Sequence, residues 1–389
     1  MNTLRGRVAI VGIADTRVGV IKDMSATQLC VDAALRALAD AGIERGAIDG
    51  LITCNSMAEP YLYHAEAIAE YLQIFPRVCI SANAGGGTTF GVLQQAVAAI
   101  HAGLCTTVLV SMADRLRSGL SREQAMAVQS SCGHPQFERP YGPTVPALYA
   151  LIAQAHMAAY GTTPEQLAAV AVSARTHASR HPEAQMRTPL TIDDVLGSRM
   201  IADPLHLLDC SLVSDGGAAV ILTAAERVGE FARDPVYILG TGEGHGHEHI
   251  SAARSLITSA AVESGQRAYE MAGLGPRDID VAGLYDCFTP VVLVELEDLG
   301  FCARGEAGEF VADGQIDLGG SLPVNTHGGL LSHSHSGNPG AMFHLTEMVR
   351  QLRRDAGARQ VADAEVALVH GQGGVMSSHG TVILGRGRD

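Results

Sequence analysis

Lysine is almost missing from this 389-residue chain: of its 27 basic side chains only Lys22 is a lysine. Schiff-base chemistry therefore has a single candidate, poorly placed in the polar segment after the first strand. Tryptophan is absent and aromatics make up 4% of residues, so no platform for a steroid or arene can be read. No apolar run reaches the roughly 20 residues that a bilayer span needs. The opening stretch MNTLRGRVAIVGIADTR has no signal-peptide core or cleavage site. The expectation is a cytoplasmic protein with no membrane partner. A formal charge of −14 argues against nucleic acid as a partner, since phosphate backbones would repel it. The eight cysteines (30, 54, 79, 105, 132, 210, 287 and 302) include no CxxC pair and read as reduced, mostly buried thiols. The first strand is not followed by GxGxxG, and GxxxxGK[ST] does not occur, which leaves nicotinamide and P-loop nucleotide chemistry without support.

What is present is the composition of a well-buried enzyme, 47% hydrophobic and 17% charged. Apolar strand-like runs at 8–12, 107–111, 218–223, 236–240, 366–370 and 380–384 alternate with helical patterns, so the fold class is α/β. The chain also repeats itself once. VAIVGIAD at 8 is echoed by VYILGTGE at 236, and the glycine-led helix GTTFGVLQQAVAAIHAG at 87 by GAMFHLTEMVRQLRRDAG at 340. Each half reads as strand, helix, strand, glycine turn, helix, strand. The halves are expected at 1–233 and 234–389, with an inserted helical subdomain at about 112–205 that has no echo.

Four stretches carry groups able to do chemistry. In SANAGGGTTFGVLQQAVAAIHAG, 81–103, a strand feeds a glycine turn and a helix. Such a turn gathers free N–H groups at the positive end of a helix dipole. Gly85, Gly86 and Gly87 bring no side chain to it. VNTHGGLLSHSHSGNPGAMFH, 324–344, holds His327, His333, His335 and His344 with Asn325 in a glycine-rich loop. Histidine titrates nearest neutrality and suits acid/base work, although loop or helix-capping histidines would look the same. His333 and His335 could be imagined on zinc, but no cysteine or acidic ligand set with metal spacing accompanies them, so no metal is expected. GLYDCFTPVVLVELEDLGF, 283–301, ends a strand at Tyr285 and Asp286, where side chains project into a site. A buried phenol there can exchange a proton with a substrate oxygen, or be a core tyrosine with one hydrogen bond. VHGQGGVMSSHGTVILG, 369–385, is a further glycine turn, with His370 and Gly374, and His245 opens an alternating trio with His247 and His249 read as a solvated or substrate-facing loop.

These motifs, in this order, resemble the thiolase superfamily, and within it the sterol-carrier or lipid-transfer-protein thiolase-like branch. LLDCSLVSDGGAAVIL (207–222) is similar to that branch's SDGAAA segment, YDCF (285–288) to its HDCF or YDAF block, and NTHGGLLSHSHSGNPG to its NxxGGLxxxGHP block, with His335 on the histidine. Where thiolases carry the acyl-accepting cysteine this chain has Gly86, and the second cysteine's turn falls in HGQGG, with His370 or a neighbour in its place. The resemblance implies a thiolase fold of duplicated βαβαβ halves layered αβαβα. It also implies retro-aldol cleavage of a β-hydroxyacyl-CoA thioester without an acyl-enzyme and with no bound cofactor. Tyr285 and His335, with His370, take the acid/base roles; N–H groups near Gly86 and Gly374, the Asn325 amide, His245 and His333 face the substrate. Partners implied are a second copy, joined across the N-terminal-half sheet, and a small zinc-ribbon/OB-fold protein. Two other readings stay open: acyl transfer by a non-standard thiol such as Cys287, and an acyl-CoA-binding subunit without catalysis.

Overall fold

The computed structural model describes residues 4–388. In the first half the order is β1 (Val8–Asp15), α1 (Ala26–Ala41), β2 (Gly50–Thr53), α2 (His64–Leu72), β3 (Val78–Ser81), α3 (Thr88–His101) and β4 (Thr107–Arg115). An insertion follows, with α4 (Arg122–Ser130), α5 (Val145–Tyr160), α6 (Pro164–Ser179), α7 (Ile192–Leu196) and a hairpin of β5 (Met200–Ala202) and β6 (Leu205–His206), before β7 (Asp215–Ala224) closes the half. The second half runs β8 (Val236–His245), α8 (Ala261–Ala272), β9 (Val281–Gly283), α9 (Thr289–Asp298), α10 (Ala307–Ala312), a π-helical turn (Gly329–His333), α11 (Gly340–Arg353), β10 (Val366–Gly373) and β11 (Ser378–Gly385).

The strands are ordered β3-β2-β4-β7-β1-β8-β11-β10-β9. Within the first half, β7 lies antiparallel between β4 and β1 while β2 is parallel to both β3 and β4. The second half repeats this pattern in reverse, β11 antiparallel between β8 and β10, and β10 parallel to β9. The two halves meet at β1 and β8 through Ala9–Tyr237 and Ile10–Val236, so the echoed segments sit side by side about the join. One strand of the repeat is reduced: the counterpart of β3 survives as a bridge from Val324 to Ala282.

Layering follows from which helices are buried on nearly every side. α11 buries twelve of its fourteen residues and packs on both half-sheets, as does α3. Helices of that kind belong between sheets. α1 and α8 cover the outer faces of the first and second half-sheets, giving α, β, α, β, α. Gly240, Gly242 and Gly244, alternating on β8, let α8 approach: a Cβ at each would overlap the carbonyl oxygens of Ala268, Ser264 and Ala260. The stretch read as a loop of histidines is therefore a strand as far as His245, with its glycines facing a helix.

Candidate active site

The site forms where the N-termini of the two central helices meet the end of β9. Beyond β9 the chain stays extended because Asn325 acts as a strand neighbour, its Oδ1 accepting from the Leu284 N–H (2.9 Å) and its Nδ2 donating to the Leu284 carbonyl (2.8 Å). The next N–H, of Tyr285, donates to Glu295 Oε2 at 2.8 Å. The Tyr285 side chain then points between the glycine turn before α3 and the start of α11. A Cβ at Gly86 would lie under 3.0 Å from the Tyr285 Cζ and hydroxyl oxygen and from the Gln372 carbonyl, and one at Gly340 would stand 3.6 Å from that hydroxyl. Two helix dipoles thus end beside one phenol oxygen, where they favour developing negative charge.

His335 completes the arrangement, with Nε2 3.1 Å from the Tyr285 hydroxyl and Nδ1 3.4 Å from Ser211 Oγ. With Nε2 facing the phenol, the tautomer carrying its proton on Nδ1 satisfies both neighbours. Burial pushes the imidazole down to about 4, so it is neutral near pH 7. The Tyr285 phenol is pushed well above its usual value by burial first, then by Cys287, Asp286 and Glu295. At rest the phenol holds the proton and the imidazole offers the lone pair, the pairing that general acid/base work requires.

A strap from the first half holds these pieces in register. Ser211 N–H donates to the Cys287 carbonyl (2.9 Å), Leu212 N–H to the Leu330 carbonyl (3.1 Å) and Ser214 N–H to the His335 carbonyl (2.9 Å). His335 N–H in turn donates to Ser214 Oγ at 3.2 Å. Sequence reasoning left Ser211 and Ser214 out of the site; their position inside LLDCSLVSDGG was the available signal.

The other candidates divide. Gly374 is brought to the site, since a Cβ at Gly85 would lie 2.9 Å from its nitrogen, and Tyr149 donates to its carbonyl at 2.9 Å. Asn325 is buried with its amide engaged on Leu284, so the expectation that it faces substrate gives way to holding the strand that carries Tyr285. His370 does not reach the pair. It lies fully buried, Nδ1 2.8 Å from Thr381 Oγ1 and Nε2 3.1 Å from His379 Nδ1. His333 sits behind the site in a row of imidazoles, His181, His333, His327 and His344, with ring separations of 4.7, 5.2 and 4.9 Å. His245 is on the surface beside Ser378 Oγ (3.3 Å). Among the described residues no three His, Cys, Asp or Glu side chains are grouped to hold a metal ion.

The thiols are unactivated. Burial pushes Cys30, Cys79 and Cys105 up to about 11 and Cys210 and Cys302 up to about 12, and raises Cys54, Cys132 and Cys287 as well. A nucleophilic thiol needs the opposite shift.

Comparison with known proteins shows the family. Residues 242–386 match the thiolase C-terminal domain-like family. The chain is 38% identical to a steroid side-chain-cleaving aldolase of Thermomonospora curvata, covering 100% of both. It is 36% identical to the 17-hydroxy-3-oxo-4-pregnene-20-carboxyl-CoA lyase of Mycobacterium tuberculosis, over 96% of this chain and 98% of that one. It is also 34% identical to an acetyl-CoA acetyltransferase of Methanothermobacter thermautotrophicus, over 97% and 99%. Among solved structures, an Ltp2-ChsH2(DUF35) aldolase superimposes with a TM-score of 0.86 at 35% identity, covering 98% of each chain. Layered halves and a site at the two central helix ends define a thiolase-superfamily protein. The chain belongs to that superfamily, in its sterol-carrier thiolase-like branch with the steroid side-chain aldolases.

Proposed function

We propose that this protein cleaves the Cα–Cβ bond of a β-hydroxyacyl-CoA thioester by a retro-aldol reaction that forms no covalent acyl-enzyme. The observation that carries the reading is the Tyr285 phenol, 3.1 Å from His335 Nε2 and standing in the space that any side chain at Gly86 would need. The β-hydroxyl of the substrate binds at the phenol. His335 takes the Tyr285 proton as Tyr285 takes that of the hydroxyl, and the β-oxygen becomes a carbonyl as the Cα–Cβ bond breaks. The bond's electron pair moves into the thioester, whose oxygen gains charge beside the N–H groups of the Gly86 and Gly374 turns and the two helix ends. Return of the proton from His335 through Tyr285 to Cα releases the shorter acyl-CoA and restores the enzyme. General acid/base groups of this kind contribute about 10²–10⁴ in rate.

Acyl transfer, the chemistry named for the archaeal acetyltransferase relative, is the second reading. It asks for a thiolate, and the buried, raised thiols with a closed position 86 speak against it. The experiment is intact-protein mass spectrometry during turnover. No acyl mass is expected on the protein, and Tyr285→Phe should lower turnover at least about a hundredfold; a bound acyl group, or full activity of Y285F, overturns the proposal.

The same reading extends to partners and place. Among the described residues the terminal strand β3 leaves one edge of its ladder unpaired, with Ile80 38% and nearby Phe75 96% exposed. Edges of this kind are protected by pairing, so we place the contact with a second copy there. The Ltp2-ChsH2(DUF35) aldolase pairs two chains in its name, in keeping with a small zinc-ribbon/OB-fold partner here. No helix among the described residues is long and apolar enough to cross a membrane, and the proposed setting is the cytoplasm.

A further inference from the structure

Tyr285 and His335 are fifty positions apart, on segments joined by no ladder beyond the Val324–Ala282 bridge. The strap at 211–214 spans both segments through backbone groups, and side chains link them directly. The residue after Tyr285 makes the shortest link. Asp286, buried, accepts the Leu330 N–H at Oδ1 (2.7 Å) and the Leu331 N–H at Oδ2 (3.3 Å). Those are N–H groups of the π-helical turn, which ends at His333, two positions before His335. Turns of this kind mark functional sites.

The loop is built around that carboxylate. Gly328 and Gly329 adopt φ of 107° and 62°, and a Cβ at Gly329 would fall inside the Asp286 carboxyl group. Gly329 in NTHGGLLSH is thus explained by the approach of the Asp286 side chain, while a Cβ at Gly328 would stand 2.5 Å from that of Ala178. Asp286 is faced also by His344 Nε2 at 3.6 Å.

We propose that Asp286 is a positioning residue: by holding the first N–H groups of the π-helical turn it sets the distance between the Tyr285 hydroxyl and His335 Nε2. The inference deepens the retro-aldol reading, on which only its kinetic arm rests. The first arm needs no substrate. His335 is half-buried, so its carbethoxylation by diethylpyrocarbonate can be followed by peptide mass spectrometry in the free protein. Asp286→Asn and Tyr285→Phe should each raise the rate at His335 about fivefold, the factor that one net hydrogen bond controls, and the double variant should show no further rise. Gly329→Ala, which displaces the same carboxylate, should behave as D286N does. In the kinetic arm, D286N should lower kcat about tenfold to a hundredfold with KM little changed, and add nothing to Y285F.

An unchanged His335 rate in D286N and G329A that keep wild-type circular dichroism, alongside a raised rate in Y285F, overturns the proposal. So does a D286N effect that multiplies onto that of Y285F, since a general loss of structure would do that. If Y285F also leaves His335 unchanged, the Tyr285–His335 pair has failed, and the proposed function with it. A normal chemical arm with no turnover of any hydroxyacyl ester would leave Asp286 in its role and sink the retro-aldol reading alone.

Discussion

Replacing Gly86 by alanine tests the site through the sign of one stability change. Gly86 is not among the glycines with positive φ, so its backbone suits any residue. In open space the substitution should stabilise the fold by about 0.4–1 kcal/mol, because alanine restricts the unfolded chain. Here the added methyl would lie under 3.0 Å from the Tyr285 phenol and from the Gln372 carbonyl oxygen. A side chain can turn away, but Gln372 lies within β10 and its carbonyl yields only if the strand moves. Overpacking of this kind costs about 1–3 kcal/mol. The net expectation is a loss of about 1–2 kcal/mol, read as a lower urea midpoint at unchanged slope, together with loss of turnover as the phenol is displaced. In Tyr285→Ala the added cost of G86A should shrink without vanishing, since the carbonyl remains. A G86A protein as stable as the parent or more so, and still active, would refute the claim that Tyr285 fills the place of a thiol.

Four further outcomes follow from the same geometry. Because His335 is held at about 4, its ring resonances should stay unmoved from pH 8 to about 5.5, and an NMR midpoint near 6.5 would contradict the buried pairing. His181, His333 and His344 are each lowered by burial to about 3, so the unfolded chain takes up their protons first. The contribution of these imidazoles is whole above about 6.5 and falls with pH below it, each of the three costing about 2 kcal/mol by pH 5; Asp286, raised to about 7 by burial, and Glu295, raised as well, work in the opposite direction. The urea midpoint should therefore fall between pH 7 and 5, and a midpoint that holds or rises would show these imidazoles to be solvated. Replacing Cys287 by serine should leave turnover within about threefold, and iodoacetamide at pH 7.5 should not inactivate the protein quickly; rapid inactivation blocked by acyl-CoA would restore the thiol reading. Ile80→Arg at the β3 edge should shift a dimer to monomer in light scattering, and an unchanged dimer would move the contact elsewhere.

Much of the fold could be read from periodicity. The strand that feeds the glycine turn and the helix after it emerge as β3 and α3, because strand, turn and helix each carry a local signal. The duplication was visible in two echoed stretches, β1 and β8, which pair at the join. What remained hidden depends on contacts far apart in sequence. Nothing local tells that the Asn325 amide is used on Leu284, 41 positions away. Nothing local tells that the alternating glycines of β8 face α8 rather than flank a histidine loop. His370 looked like its glycine-turn neighbours, yet its strand turns it into the core beside Thr381 and His379. The strap at 211–214 crosses both functional segments through backbone groups, which leave no mark on residue identity. Tyr285 and His335 could be picked because each lies in a motif, but their pairing through Asp286 and the π-helical turn is a matter of three dimensions.

The most direct test of the central claim is a mass-spectrometric product assay on paired β-hydroxyacyl-CoA and β-ketoacyl-CoA esters, each with and without free CoA. The purified protein would be assayed alone and with any small partner that co-purifies. A hydroxyacyl ester should be split into a carbonyl compound and a shorter acyl-CoA, at a rate indifferent to free CoA, while keto esters persist. Cleavage confined to keto esters and strictly dependent on free CoA would contradict the claim, and would mean that a thiol accepts the acyl group after all.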